Sequence, residues 1–169
     1  MKDGQSSSAG LLSSNLPSPN LIERLAEFRY RLRAFVQFSE QAALNAGLQP
    51  QQHQLLLQIA GAPAGAIPTI AYAAERLGLR HNSVVELANR SVEEGLLERT
   101  SDETDARRVL LRVTSKGTRL LHKLASHHRS ELEVMGPALI EALTRIEHWE
   151  HDHAAGSPAA PRGIMRAAR

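Results

Sequence analysis

The sequence predicts a mainly α-helical chain with one small β-hairpin, an α+β fold. Three observations carry that reading. Apolar residues recur at helical spacing through most of residues 20–150, Gly and Pro stand at the ends of those stretches, and two short segments around a polar loop alternate apolar with polar. Aromatic residues make up only 4% of the chain, which disfavours a β-sandwich or barrel.

Residues 1–19 are rich in Ser, Gly, Asn and Pro without periodicity and read as a disordered leader. Asn20 then caps a long helix to about Asn45, with Leu21, Leu25, Phe28, Leu32 and Phe35 on one stripe. Ile22, Tyr30, Ala34 and Phe38 lie off that stripe, and a helix apolar on more than one face needs more than one partner. Gly47 ends this helix, and Pro50 opens the next, which runs to about Ala60. Residues 61–68 form a loop.

A helix-turn-helix signal follows. Thr69 caps a short helix, Ile70–Leu77, Gly78 supplies the turn, and a second helix runs from about Arg80 to Glu94 with Val84, Leu87, Ala88 and Val92 inward. Gly95 stops it from the C′ position. Two short strands, Leu96–Thr100 and Arg107–Val113, flank the polar loop 101–106 and make a hairpin directly behind the motif, a wing. Thr114 or Ser115 caps another long helix to about Met135, Gly136-Pro137 is expected to break it, and a last helix reaches about Glu150. Residues 151–169, with closely spaced Gly and Pro, read as a disordered tail.

Composition narrows the chemistry. The 169 residues suffice for one domain with a real core. Lys plus Arg is 20 against 18 Asp plus Glu, and 17 of the 20 are Arg, the better fork for phosphate and guanine. The absence of cysteine removes disulfides, thiolate nucleophiles, Cys-ligated zinc and thiol redox switches. With no signal-peptide pattern and no apolar run near the ~20 residues that span a bilayer, a cytoplasmic protein without membrane contact is expected. No phosphate-cradling Gly loop or catalytic Ser motif is present, so an enzyme is not expected.

The hairpin segment carries a resemblance. Asp105-Ala106-Arg107, then Val109-Leu110-Leu111-Arg112-Val113-Thr114-Ser115-Lys116-Gly117, resembles the wing of the MarR family of winged-helix transcription regulators. Gly95-Leu96-Leu97-Glu98-Arg99 and the run from Gly47 to Leu57 resemble that family's exit from the recognition helix and entry to its second helix. The resemblance covers roughly residues 21–150. It implies a winged helix-turn-helix head (residues 50–113) on an α-helical dimerisation base (20–46 and 115–150), and hence a homodimer on a pseudo-palindromic operator in double-stranded DNA. The function implied is a transcription regulator, expected to repress and to be relieved by a small aromatic effector. No cofactor is expected.

By the same resemblance the second helix of the motif lies in the major groove, with His81, Asn82, Val85, Glu86 and Asn89 exposed toward base edges, Ser83 placed to donate to a phosphate, and Arg80 and Arg90 as phosphate clamps or guanine readers. Asn suits adenine and Glu suits cytosine. Asp105 braces the wing, Arg107 enters the minor groove, and Arg108, Arg112 and Lys116 contact phosphate. Arg99 is expected to hold the hairpin through a carboxylate. Two residues depart from the family pattern. Arg80-His81 replaces Ser/Thr-Pro at the helix start, leaving the cap to Asn82 or Ser83, and Ser91 replaces a core Leu, with Val92 taking over its packing.

An effector pocket is expected around Phe28, Phe35, Phe38 and His53. His122, His127, His128, His148, His151 and His153 suggest a metal-sensing regulator as an alternative, but a fraying helix end would hold ligands poorly, so no metal site is assigned. A winged helix that binds protein instead of DNA is the other alternative.

Overall fold

The structure is a computed structural model and describes residues 19–102, 105 and 108–154, with side chains from 20 to 147 within those spans. The expected leader (1–18 of it) and tail (from residue 155), and Arg107 at the wing tip, lie outside the described residues. The elements in order are α1 (Pro19–Asn45), α2 (Pro50–Ala60), α3 (Ile70–Leu77), α4 (His81–Glu93), β1 (Leu97–Ser101), β2 (Val109–Val113) and α5 (Ser115–Ala154). This is the mainly α fold with a two-stranded antiparallel wing that the sequence predicts.

The chain divides into two compact units. The larger runs from Arg33 to Gly136, and the smaller comprises residues up to Leu32 and from Pro137 onward. The boundaries therefore fall inside α1 and α5, so each long helix contributes to both units.

The larger unit holds the hydrophobic core. Leu48, Leu55, Leu56, Val84, Leu87, Leu96, Leu97, Leu111 and Leu124 are its buried centre. Helix α2 starts where Pro50 fits the first helical position, and the Gln49 backbone N–H donates to Gln52 Oε1 at 3.1 Å. Helix α3 starts at Thr69, whose hydroxyl accepts the Tyr72 N–H at 3.2 Å. It ends at Gly78, with φ +63°, where the Leu79 N–H reaches the Ala74 carbonyl at 3.0 Å. That left-handed backbone lets the chain reverse into α4 within a few residues. Gly95, φ +68°, closes α4 in the same way through Leu96 N–H to the Ser91 carbonyl at 2.8 Å.

The hairpin pairs Leu97 with Val113, Arg99 with Leu111 and Ser101 with Val109. It begins one residue later than expected, and its second strand two residues later. Leu96 stays outside the ladder because its N–H is spent on the Ser91 carbonyl at 2.8 Å, though its carbonyl still accepts the Thr114 N–H at 3.0 Å, and the Leu111 N–H donates to the Pro68 carbonyl at 2.7 Å. The wing is thus bonded to both the loop before α3 and the segment after α4. Thr114 tightens this junction, its hydroxyl donating to the Gly95 carbonyl at 2.7 Å and accepting the Gly117 N–H at 3.2 Å. A side chain at Gly117 would stand 2.6 Å from the Leu96 carbonyl oxygen, so only glycine lets α5 start this close to the wing.

Helix α5 corrects one expectation. It is a single 40-residue helix with Pro137 inside it, not two helices. Proline removes one backbone donor, yet Met135, Leu139, Ala142 and Ile146 keep one 3.6-residue phase across it. A break would have thrown that stripe out of register.

Candidate nucleic-acid interface

Helix α4 is amphipathic by burial. Val84, Leu87, Ala88 and Ser91 are buried, while His81, Asn82, Ser83, Glu86, Asn89 and Arg90 are exposed, as is Arg80 just before them. The spacing 82, 86, 89 and 90 puts two amides, a carboxylate and a guanidinium on one outward face. Arg90 makes no ion pair among the described residues, although Glu86 and Glu93 lie near it in sequence.

One expectation at α4 is corrected. Arg80 is the N-cap in extended conformation and no side chain caps the helix, so neither Asn82 nor Ser83 takes that role. The first amides of α4 are left without a side-chain acceptor, a geometry suited to phosphate oxygen. Ser91 is itself fully buried, and Val92 packs partly buried against the same core. The Ser91 hydroxyl donates to the Leu87 carbonyl at 2.8 Å, which makes a polar residue tolerable in a leucine's place.

The wing has its own bracing. Arg108 Nη1 lies 3.1 Å from Asp102 Oδ2 and Nη2 lies 3.7 Å from Asp105 Oδ2. The backbone repeats the tie, with Asp102 N–H to the Arg108 carbonyl at 3.0 Å and Arg108 N–H to the Asp105 carbonyl at 2.9 Å. Asp105 and Arg108 thus pair within the loop, a role for Arg108 that the sequence did not reveal. Arg112 is exposed on β2, in register with Glu98. Lys116 Nζ donates to the Glu94 carbonyl at 2.7 Å, at the C-terminal end of α4, where a cation also suits the helix dipole. Arg99 bonds the amide of Asn89 and not a carboxylate, Nη2 to Oδ1 at 2.7 Å.

Of the expected effector residues, the larger unit brings Phe35, Phe38 and His53 together around His128, which had drawn attention only as a metal ligand. His53 stacks on His128 with ring centroids 5.1 Å apart, and Phe35 and Phe38 meet His128 edge-on at 6.1 and 6.0 Å. Burial, and then the neighbouring His128, hold His53 below the ordinary imidazole pKa. Burial, and then the charge of His127, lower His128, against a backbone hydrogen bond with Ser39. These rings fill their own space. A cavity of about 200 Å³ opens beside them, lined by Phe38, Gln41, Ala42, Asn45, Ala46, Lys123 and His127. Phe28 is half-buried and belongs to the smaller unit. Among the described residues no three of His, Asp or Glu converge as metal ligands, and the side chains of His148, His151 and His153 are not among them.

A helix-turn-helix followed by a braced hairpin, with a polar row along the second helix, defines a winged-helix protein. Residues 46–108 match the MarR family model. The fold of the chain is similar to that of a MarR family protein from Bacillus stearothermophilus, at 19% identity and TM-score 0.64, over 81% of this chain and 99% of that one. It is also similar to CouR from Rhodococcus jostii bound to p-coumaroyl-CoA, at 19% identity and TM-score 0.59, over 85% and 97% of the two chains. A third likeness is to a MepR mutant from S. aureus bound to an oligodeoxyribonucleotide, at 20% identity and TM-score 0.52, over 76% and 89%. No curated protein matches. Among the described residues no helix is long and apolar enough to cross a membrane.

Proposed function

We propose that the protein is a cytoplasmic, homodimeric transcription regulator that binds a pseudo-palindromic operator and represses until a small effector releases it. The observation that carries the DNA reading is the exposed row Asn82, Glu86, Asn89 and Arg90 on α4, set beside a wing whose loop is held by Arg108. Laid in the major groove, α4 presents Asn82 and Glu86 to base edges and its uncapped start, with Arg80, His81 and Ser83, to phosphate. Arg107, at the tip that Asp105 braces, enters the minor groove, and Arg112 contacts the backbone. Lys116, engaged with Glu94, serves the junction first and phosphate second.

Exposed apolar residues support the dimer. Ile22, Tyr30, Val134 and Ile140 are 58–77% exposed, and water is a poor partner for them. In the smaller unit a cleft of about 770 Å³ between the two helices, lined in part by Ala26, Tyr30, Ala138 and Ala142, offers a seat for a second copy. The 200 Å³ cavity supports the effector: Phe38, Ala42 and Ala46 suit a single ring, and Lys123 and His127 suit a carboxylate or phenolate on it.

Footprinting on the DNA upstream of the protein's own gene tests the reading. Two protected half-sites about one helical turn, roughly 10 bp, apart are expected. Binding should weaken steeply with salt and with an aromatic acid such as salicylate. Protection of one isolated half-site at full affinity contradicts the dimer, and salt-insensitive or absent binding returns the winged helix to protein interaction.

A further inference from the structure

The contact between Arg99 and Asn89 joins the wing to the recognition helix. Arg99 stands on β1, opposite Leu111 in the ladder, and Asn89 lies on the outward face of α4, about two helical turns beyond Asn82. Arg99 Nη2 donates to Asn89 Oδ1 at 2.7 Å, and both side chains are exposed. A guanidinium has five donors and no acceptor. The atom of the amide that faces it must therefore be the oxygen, and the NH2 must face the other way. The amide is held in one orientation by this hydrogen bond.

That orientation changes what Asn89 can read. Asparagine recognises adenine by using Oδ1 and Nδ2 together, accepting from N6 and donating to N7. With one Oδ1 lone pair taken by Arg99 and the other beside a cationic guanidinium, an adenine N6–H is disfavoured at that oxygen, so Asn89 acts chiefly as a donor, and the remaining N–H groups of Arg99 add further donors beside it. Guanine presents two acceptors, N7 and O6, on its major-groove edge, whereas adenine places a donor next to its acceptor. We propose that Arg99, a residue outside the helix-turn-helix, is a positioning residue that sets base specificity: by fixing Asn89 as a donor it makes α4 select guanine, not adenine, at the operator position facing Asn89. The inference rests on the DNA-reading role proposed above.

Selection from randomised DNA duplexes, with the full chain and its variants, tests it. Comparing wild type with Asn89→Ala identifies the operator position that depends on Asn89. The wild type should enrich guanine there by about fivefold or more over adenine, the smallest preference a good base contact gives. Arg99→Met frees the amide and should shift that one position toward adenine while the rest of the motif stays. In the Asn89→Ala background Arg99→Met should change nothing at that position, because the effect runs through the amide. Asn89→Asp, a surface change on an intact helix, keeps a partner for Arg99 but loses the donor, and should abolish the guanine preference. A merely structural tie would move melting temperature and overall affinity, not the identity of one base. If Arg99→Met or Asn89→Asp leaves guanine enriched, if the wild type prefers adenine there, or if Asn89→Ala alters no position, the inference is overturned while DNA reading stands. If the wild type enriches no sequence, both fall.

Discussion

The two compact units bury their apolar residues very differently. In the larger unit Leu55, Leu56, Val84 and Leu124 are wholly buried, and the helices close on glycine caps. In the smaller unit Ala142 is the one buried hydrophobic residue among those described, while Ile22, Leu25, Tyr30, Ile140 and Leu143 are exposed. One unit holds a buried core, and the other leaves most of its apolar residues exposed. Exposure therefore means two things in this molecule. On α4 the exposed side chains are amides, carboxylates and guanidinium groups, which lose little in water and gain on a base edge. On the first part of α1 and the last part of α5 apolar side chains are exposed among charged ones, and the proposed dimer would bury them.

The largest expected effect comes from the smaller unit. Replacing Tyr30 and Ile140 together by Glu should leave a monomer in sedimentation velocity, with the melting of the larger unit still cooperative. Without the second head, operator affinity should fall by roughly 10²–10⁴-fold, the span that linking two sites contributes. A stable dimer in that variant breaks the comparison. Next comes the larger unit. Leu87→Ala, at a residue 2% exposed, should cost about 2–5 kcal/mol in urea unfolding.

Two glycines of α5 sharpen the contrast further. Gly117→Ala forces a methyl against the Leu96 carbonyl and should destabilise by roughly 1–3 kcal/mol. Gly136→Ala meets nothing within 4 Å and should stabilise the helix by roughly 0.5–1 kcal/mol. Equal effects in thermal melts would mean the wing junction is looser than described.

The smallest effect is a pH dependence, and its sign follows from the imidazoles. His53 and His128 titrate below 6.5 in the folded chain because burial disfavours their charged forms. As pH falls below 6.5 the unfolded chain takes up protons first, so the stability these neutral rings provide is complete above 6.5 and is lost toward their folded values. His53→Gln should flatten the slope of stability against pH below 6.5, measured by denaturant melts across that range.

Where punctuation is strong the sequence was enough. Pro50, Thr69 and Gly78 mark α2 and α3, and both match the expected bounds. Pro137 lies inside α5 because the apolar phase that runs through it outweighs the loss of one backbone donor. The exposed face of α4 was legible from periodicity alone. The partners of its side chains were not, because Asn89 and Arg99 meet only after the chain has turned out of the helix into β1. His128 was likewise hidden: it lies far along the chain from Phe35, Phe38 and His53, and only the packing of α5 brings the rings together. The Arg108 brace was half visible, since Asp105 was expected to hold the loop but its partner was read as a phosphate contact.

The central claim, that the polar row of α4 reads base edges, is tested most directly by titrating Asn82→Ala and Glu86→Ala on operator and on random duplex at matched salt. Each should lose roughly 1–3 kcal/mol on the operator and almost nothing on random DNA, because base contacts carry discrimination and phosphate contacts do not. Equal losses on both duplexes, or none on either, would contradict the account.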